Sequence, residues 1–342
     1  MGLAECVSRW LAKPVRLLRQ VFNGEHAEVW QASVEDGQLA VHVSPAWRRP
    51  SQLAWCHAVA RYAGCRVPAV VVPLESKGST YTRWRGHLVS AFPWVEGTMA
   101  NRTDPAQVQG AGALLAEVHA ALLDWPTGDR PPNLGRPRAP EVVPDLADAG
   151  LDTWWADKAG GLVHGLYHGD YYRRNLLVRE GVIQGVIDWD EARPGPLIGE
   201  VAFAAWEFGH DHELNLVADQ FQRFVDAYRG LARHLPDHEY DLVAGAVRVM
   251  LRDNISYALL HGATLNDDYQ RRQVRAFWQL GQWLRMQHSG AVRRSSRPSS
   301  LLAPLPHRPA GRHARGPRGA RRHPRLLHNR RQRGQRRRHG QR

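Results

Sequence analysis

One interruption in a helical pattern constrains this chain more than any other feature. From residue 93 to 288 the apolar spacing is largely that of helices, except between Leu166 and Asp190. There the chain reads Tyr167-His168-Gly169-Asp170-Tyr171-Tyr172-Arg173-Arg174-Asn175, then Leu176-Leu177-Val178, a tight turn at Arg179-Glu180-Gly181, and a return through Val182 to an Ile187-Asp188 ending. This is a polar loop leading into a short β-hairpin whose second strand is expected to end on Asp188. The hairpin folds that strand back, so Asp188 can lie near Asn175 although 13 residues separate them.

The flanks supply the rest of the architecture. Upstream, 15–21, 27–34 and 38–43 read as successive strands, with turn chemistry at Asn23-Gly24 and Asp36-Gly37. A helix over 51–63 follows, between Pro50 and Gly64, and then strands over 70–73 and 87–92. Downstream, Val108, Ala111, Leu115, Val118 and Leu122 fall on one helix face, and Asp104 is placed to cap that helix ahead of Pro105. Further helices are expected over 214–230, 238–261 and 267–287. The expected fold is therefore α+β and bilobal: a small β-rich lobe over 1–92, a larger helical lobe over 93–288, and a tail over 289–342 too poor in apolar residues to order itself.

Charge belongs mostly to that tail. The formal net charge is +13, but residues 291–342 hold 17 of the 46 basic residues and no acid, leaving 29 basic against 33 acidic in the body. Nucleic acid is therefore not an expected partner, except non-specifically through the tail's arginines. The tail also reads as an inert extension or as the product of a shifted reading frame in a GC-rich gene. No run approaches the roughly 18 apolar residues of a membrane span. Three cysteines, Cys6, Cys56 and Cys65, read as reduced thiols, and the start of the chain lacks the layout of a signal peptide. The expected setting is cytoplasmic, away from membranes.

The loop and hairpin carry the residue types that phosphoryl transfer requires. That reaction asks the protein mainly to position groups and offset charge. A carboxylate beside the acceptor hydroxyl orients it and takes its proton, which suits Asp170. Mg²⁺ needs few protein ligands beside the phosphates, which suits Asn175 and Asp188. Taken singly, His-Gly-Asp is a common turn and Asp188 could cap the next helix; the conjunction is what is specific.

The stretch from Tyr167 to Asp190 resembles the aminoglycoside phosphotransferase family, whose wider group includes choline, homoserine and fructosamine kinases and, more distantly, protein kinases. The resemblance covers about residues 15–285, and the helix containing Leu114-Leu115-Ala116-Glu117-Val118-His119 shares it. It implies a protein-kinase-like fold, ATP or GTP as phosphate donor, Mg²⁺ as cofactor, and a small-molecule acceptor. It implies Asp170 as catalytic base, Asn175 and Asp188 as metal ligands, and His168 as a brace for the loop. Asp190 could touch a second metal, cap a helix or face solvent. The family usually has Asp where Glu200 opens a supporting helix; Glu200 is a conservative departure. The turn at Asn23 and Gly24 should cover the phosphates, and the segment around Ala91 and Phe92 should meet the purine. The third strand should bring a Lys or Arg to the phosphates; His42 stands there, as a phosphate ligand or as strand filling. The acid that should pair with that cation is missing near Trp55-Cys56-His57. The acceptor site is expected after Asp188, where Trp206 to Glu213 offers acids beside aromatics; Asp211 and Glu213 are the candidates for an amine, against the reading of an exposed turn. Two further functions compete with a small-molecule kinase: a nucleotide-binding pseudokinase without turnover, motivated by the imperfect small lobe, and a nucleic-acid-binding protein, motivated by the tail alone.

Overall fold

The computed structural model describes residues 1–23, 27–126, 146–260 and 263–288, all within one compact unit. The expected features of 289–342 lie outside the described residues.

The amino-terminal part is a five-stranded antiparallel sheet. Its strands are β1 (Arg16–Asn23), β2 (Glu28–Val34), β3 (Gly37–Val43), β4 (Thr82–Trp84) and β5 (His87–Pro93), in the spatial order β1-β2-β3-β5-β4. Alternation sets which side chains face inward: Leu39, Val41 and Val43 of β3 are buried, with Ala40 and His42 on the other face. A helix absent from the sequence expectations, α1 (Leu3–Leu11), lays Leu3, Val7 and Trp10 against Val15, Ala32, Val89 and Ala91 to close this core.

Two small-lobe segments belong partly to the other lobe. Helix α2 (Pro50–Gly64), one residue longer at each end than expected, places Cys56, Val59, Ala60 and Ala63 in the large lobe's core. The expected strand over 70–73 does not form. Pro73 has no N–H to give a ladder, and the segment makes a single parallel bridge, Val70 to Val186. Val71 N–H donates to Val186 O at 3.0 Å and Val186 N–H to Ala69 O at 2.7 Å. Strand β5 ends at Pro93, beside the boundary expected at residue 92.

In the large lobe, β6 (Thr98–Met99) precedes α3 (Pro105–Leu122), whose Asp104 cap accepts from Ala106 N and Gln107 N. Helix α4 (Ala149–Ala159) was not expected. Strand β7 (His164–Tyr167) enters the loop, the hairpin is β8 (Leu176–Arg179) and β9 (Val182–Val186), and β10 (Arg193–Pro196) returns to pair with β7. Then come α5 (Leu197–Phe208), α6 (Ala218–Leu231), α7 (Val243–Leu260) and α8 (Asp268–His288). The expected helix over 214–230 starts later because Asp211 organises a loop before it. The one expected over 238–261 opens as a 3₁₀ turn, Asp237–Leu242. Helices α3 and α6 approach backbone to backbone: a Cβ on Gly112 would lie 2.4 Å from the Phe224 main-chain oxygen. Among the described residues no helix is long and apolar enough to cross a membrane.

Candidate active site

The loop after β7 is held from below by one carboxylate. Glu200, in the first turn of α5, accepts from His168 N–H at 3.1 Å and from Gly169 N–H. Its Oε2 also meets His119 Nε2 of α3 at 2.9 Å. His119 Nδ1 reaches the Tyr228 hydroxyl at 2.8 Å, which in turn reaches His234 Nε2 at 3.0 Å. Burial alone would raise the Glu200 carboxyl, but the His119 bond and neighbouring histidines outweigh it and hold the group ionised, below its ordinary value. The backbone conformation follows: Gly169 has φ +86°, and a Cβ there would lie 1.9 Å from Glu191 O. No residue but glycine fits.

His168 joins the two halves of the site. Its Nδ1 accepts from Asp170 N–H at 3.2 Å, and its Nε2 donates to Ile187 O at 2.9 Å. Burial lowers its pKa, so the ring is neutral and takes part in the site as a brace. Asn175 completes the link. Its Nδ2 donates to Asp170 O at 2.9 Å and to Asp170 Oδ2 at 3.0 Å, while its main-chain carbonyl accepts from Ile187 N–H at 3.0 Å. The amide thus turns its donor to Asp170.

Strand β9 stops at Val186, two residues short of the expected end, and Asp188 adopts φ +63°. A non-glycine residue in that region is uncommon, though Asp tolerates it. Its side chain is exposed to solvent but crowded by protein. That crowding and the nearby Asp190, Asp170 and Glu191 push its pKa up to about 7, against a lowering pull from His42. Among the described residues no three His, Cys, Asp or Glu side chains are grouped to hold a metal by themselves. One carboxylate and one amide oxygen suit a hard cation that arrives with phosphate and water ligands, as Mg²⁺ does.

The small lobe faces this cleft with histidines. His42, opposite Ser90 in the β3–β5 ladder, lies within electrostatic reach of both Asp188 and His57. His57 of α2 is buried, bonded through Nδ1 to Thr80 Oγ1 at 2.7 Å and set edge-on to Phe92. Ala91 and Phe92 lie on β5, where Ala91 O accepts from Leu74 N–H at 2.8 Å. Asn23 ends β1 opposite Glu28, and Gly24 lies outside the described residues.

On the acceptor side, Asp211 and Glu213 are engaged within the protein. Asp211 accepts from Glu213 N–H at 2.8 Å and Asn215 N–H at 2.9 Å, and Glu213 pairs with Arg272 at 3.2 Å. Glu207, earlier in the same run, is buried with His210 Nε2 at 3.9 Å. It shares the electrostatic surroundings of Tyr172 with Asp170 and Asp188, and those of Tyr269 with Arg102 and Arg174. Its position on the last turn of α5, one turn from the Asp211 loop, was the signal in the sequence.

Three comparisons bear on this arrangement. The model of the phosphotransferase enzyme family matches residues 18–234. A homoserine kinase of Rhodopseudomonas palustris is 29% identical over 188 residues, covering 51% of this chain and 56% of the relative; one from a Bradyrhizobium species is 25% identical over 217 residues, 57% and 64% respectively. The chain thus spans little more than half the length of the curated relatives it matches. Among solved structures, an aminoglycoside phosphotransferase of Alicyclobacillus acidocaldarius aligns with TM-score 0.56 at 18% identity, over 83% of this chain and 97% of that one. A microcompartment-associated aminopropanol kinase aligns with TM-score 0.59 at 17% identity, over 82% and 94%. At such identities the structures speak for the fold, which is the bilobal kinase-like α+β arrangement.

Proposed function

Because the chain belongs to the phosphotransferase enzyme family, we propose that it is a small-molecule kinase moving the γ-phosphoryl group of ATP or GTP to a hydroxyl of its acceptor. One observation carries this reading: His168 and Asn175 tie Asp170 and the Asp188 segment to one point, through four hydrogen bonds. Asp170 would orient the acceptor hydroxyl and receive its proton as the oxygen–phosphorus bond forms and the bond to the β-phosphate breaks. Asn175 Oδ1 and the Asp188 carboxylate would hold Mg²⁺, which when bound offsets charge on the β- and γ-phosphates. His42, within electrostatic reach of Asp188, would stand where the usual phosphate-binding cation does. All three of Asp170, Asn175 and Asp188 are present, so nothing in the site favours a nucleotide-binding regulator without turnover.

For the acceptor, the support lies in Glu207. A buried carboxylate that, like Asp170, is felt electrostatically by Tyr172 suits an ammonium group on an acceptor bound at this site. Two of the similar proteins are named for acceptors with an amine and a hydroxyl, homoserine and aminopropanol. Reduced thiols at Cys6, Cys56 and Cys65 and a nucleoside triphosphate donor support a cytoplasmic setting.

The test is a nucleotide-release assay with Mg²⁺ across homoserine, amino alcohols and aminoglycosides, alongside nucleotide titrations of Asp188→Asn with and without Mg²⁺. Asn also tolerates the left-handed backbone of residue 188, so this variant keeps its fold. Turnover with an amino alcohol, and loss of the Mg²⁺ dependence in the variant, are expected. No turnover with any acceptor, together with an unchanged Mg²⁺ dependence, rejects the reading.

A further inference from the structure

The carboxylate beneath the Asp170 loop begins a chain of hydrogen bonds that runs outward. Glu200 Oε2 meets His119 Nε2 at 2.9 Å, His119 Nδ1 meets the Tyr228 hydroxyl at 2.8 Å, and that hydroxyl meets His234 Nε2 at 3.0 Å. Glu200, His119 and Tyr228 are buried, whereas His234, just after α6, is half-buried. Each link constrains the next. An ionised carboxylate only accepts, so His119 Nε2 carries a proton. Burial keeps the Tyr228 phenol protonated, with one hydrogen to give. Given to His119 Nδ1, that hydrogen leaves His119 neutral. Given to His234 Nε2, it requires His119 to be an imidazolium, since two lone pairs would otherwise face each other across 2.8 Å.

We propose that the second arrangement is the resident one: His119 is an imidazolium paired with Glu200, and His234 is a positioning residue that keeps it so by taking the Tyr228 hydrogen. The consequence for turnover rests on the kinase reading above. A buried carboxylate is costly unless it is paired and hydrogen-bonded. Among the described residues, the side chain hydrogen-bonded to Glu200 is His119. Arg193 is within electrostatic reach of it, but its guanidinium donates to the Tyr167 hydroxyl and to Glu191 O. His168 is neutral. The His119 and His234 rings lie 6.2 Å apart, too close for both to carry charge without repulsion. Burial, and then His119, hold the His234 pKa down to about 4, which leaves that ring an acceptor. Full charge on Glu200 strengthens its bonds to His168 N–H and Gly169 N–H, the backbone that Asp170 follows. As plain packing, His234 would affect stability and leave the His119 proton alone.

Imidazole ¹⁵N spectra at pH 7.5 report which His119 nitrogens carry a proton, the His119 signals being assigned by their loss in His119→Gln. Spectra and steady-state kinetics are compared for wild type, His234→Phe, His234→Gln and Tyr228→Phe. Wild type should show both His119 nitrogens protonated. His234→Phe removes the acceptor, so Tyr228 turns its hydrogen to His119 and Nδ1 loses its proton. With that change kcat should fall by about 10-fold, the scale for losing the partner behind an orienting histidine, at unchanged nucleotide KM. His234→Gln offers an amide oxygen instead and should restore both the signals and kcat. Tyr228→Phe should also lose the Nδ1 proton, and adding His234→Phe to it should lower kcat no further. A wild-type His119 without a proton on Nδ1 overturns the inference even if no variant folds. So does a folded His234→Phe with unchanged His119 signals, or a His234→Gln that behaves like His234→Phe. The spectra need no acceptor: a doubly protonated wild-type His119 without turnover on any acceptor would reject the kinase reading and leave the ring assignment standing.

Discussion

Asp170 and Asp188 are both carboxylates in one cleft, and their surroundings assign them different work. Asn175 donates to Asp170 Oδ2, which fixes how that carboxylate is turned. An Asp170→Asn variant keeps the loop's size but has no base. Its kcat should fall by about 100-fold or more, the usual range for a lost general base, with nucleotide affinity nearly unchanged. A variant retaining more than about a tenth of wild-type kcat would remove Asp170 from that role. Desolvation, and then the nearby Asp190, Asp170 and Glu191, raise the Asp188 pKa to about 7, a cost that a metal would relieve. Asp188→Asn should therefore melt at a higher temperature than wild type at pH 8 without metal while losing turnover. A lower melting temperature would mean that the crowding is already compensated.

The loop, the hairpin and helix α3 were legible because each is local. Tyr167 to Gly181 carries its own turn residues, and Asp104-Pro105 marks a helix start next to it. What was missed is short or non-local. Helix α1 has too few turns to show a pattern, and β10 holds two prolines, so its pairing with β7 across about 30 residues left no strand signal. Glu200 was expected as a support, but its bond to His119 could not be read from residues 81 apart. The loop's dependence on its glycine is testable. Gly169→Ala forces φ +86° on a residue with a Cβ and drives that atom into Glu191 O. Stability should fall by about 2 kcal/mol or more, from strain of this kind, and kcat should fall with it because Asp170 follows directly. Calorimetry and steady-state kinetics check both, and an alanine variant with unchanged melting would mean that the 191 segment yields freely.

At the scale of the whole molecule the two lobes are joined by buried polar contacts that no sequence window contains. Arg48 to Asp190 spans 142 residues, and Cys56 to the same carbonyl spans 134. His57, next to Cys56, shares this inter-lobe setting. Burial lowers its pKa to about 4; Asp190 pulls it up, while His42 and Arg48 push it further down. In the unfolded chain the same imidazole titrates near 6.5. Between those values the unfolded state binds the extra proton, so stability falls as pH falls. The contribution is fully present above about pH 6.5 and is lost by about pH 4, a change of roughly 3 kcal/mol at 1.36 kcal/mol per unit. His57→Gln keeps a side chain able to meet Thr80 Oγ1 but cannot titrate. Denaturant unfolding of both proteins at pH 7.5, 6, 5 and 4.5 measures the difference directly. Wild type should lose stability more steeply than the variant below pH 6.5, and the two curves should converge or cross toward pH 4. Parallel curves over the whole range would show that His57 is protonated as readily in the folded protein as in the unfolded chain, and that the wall between the lobes admits water.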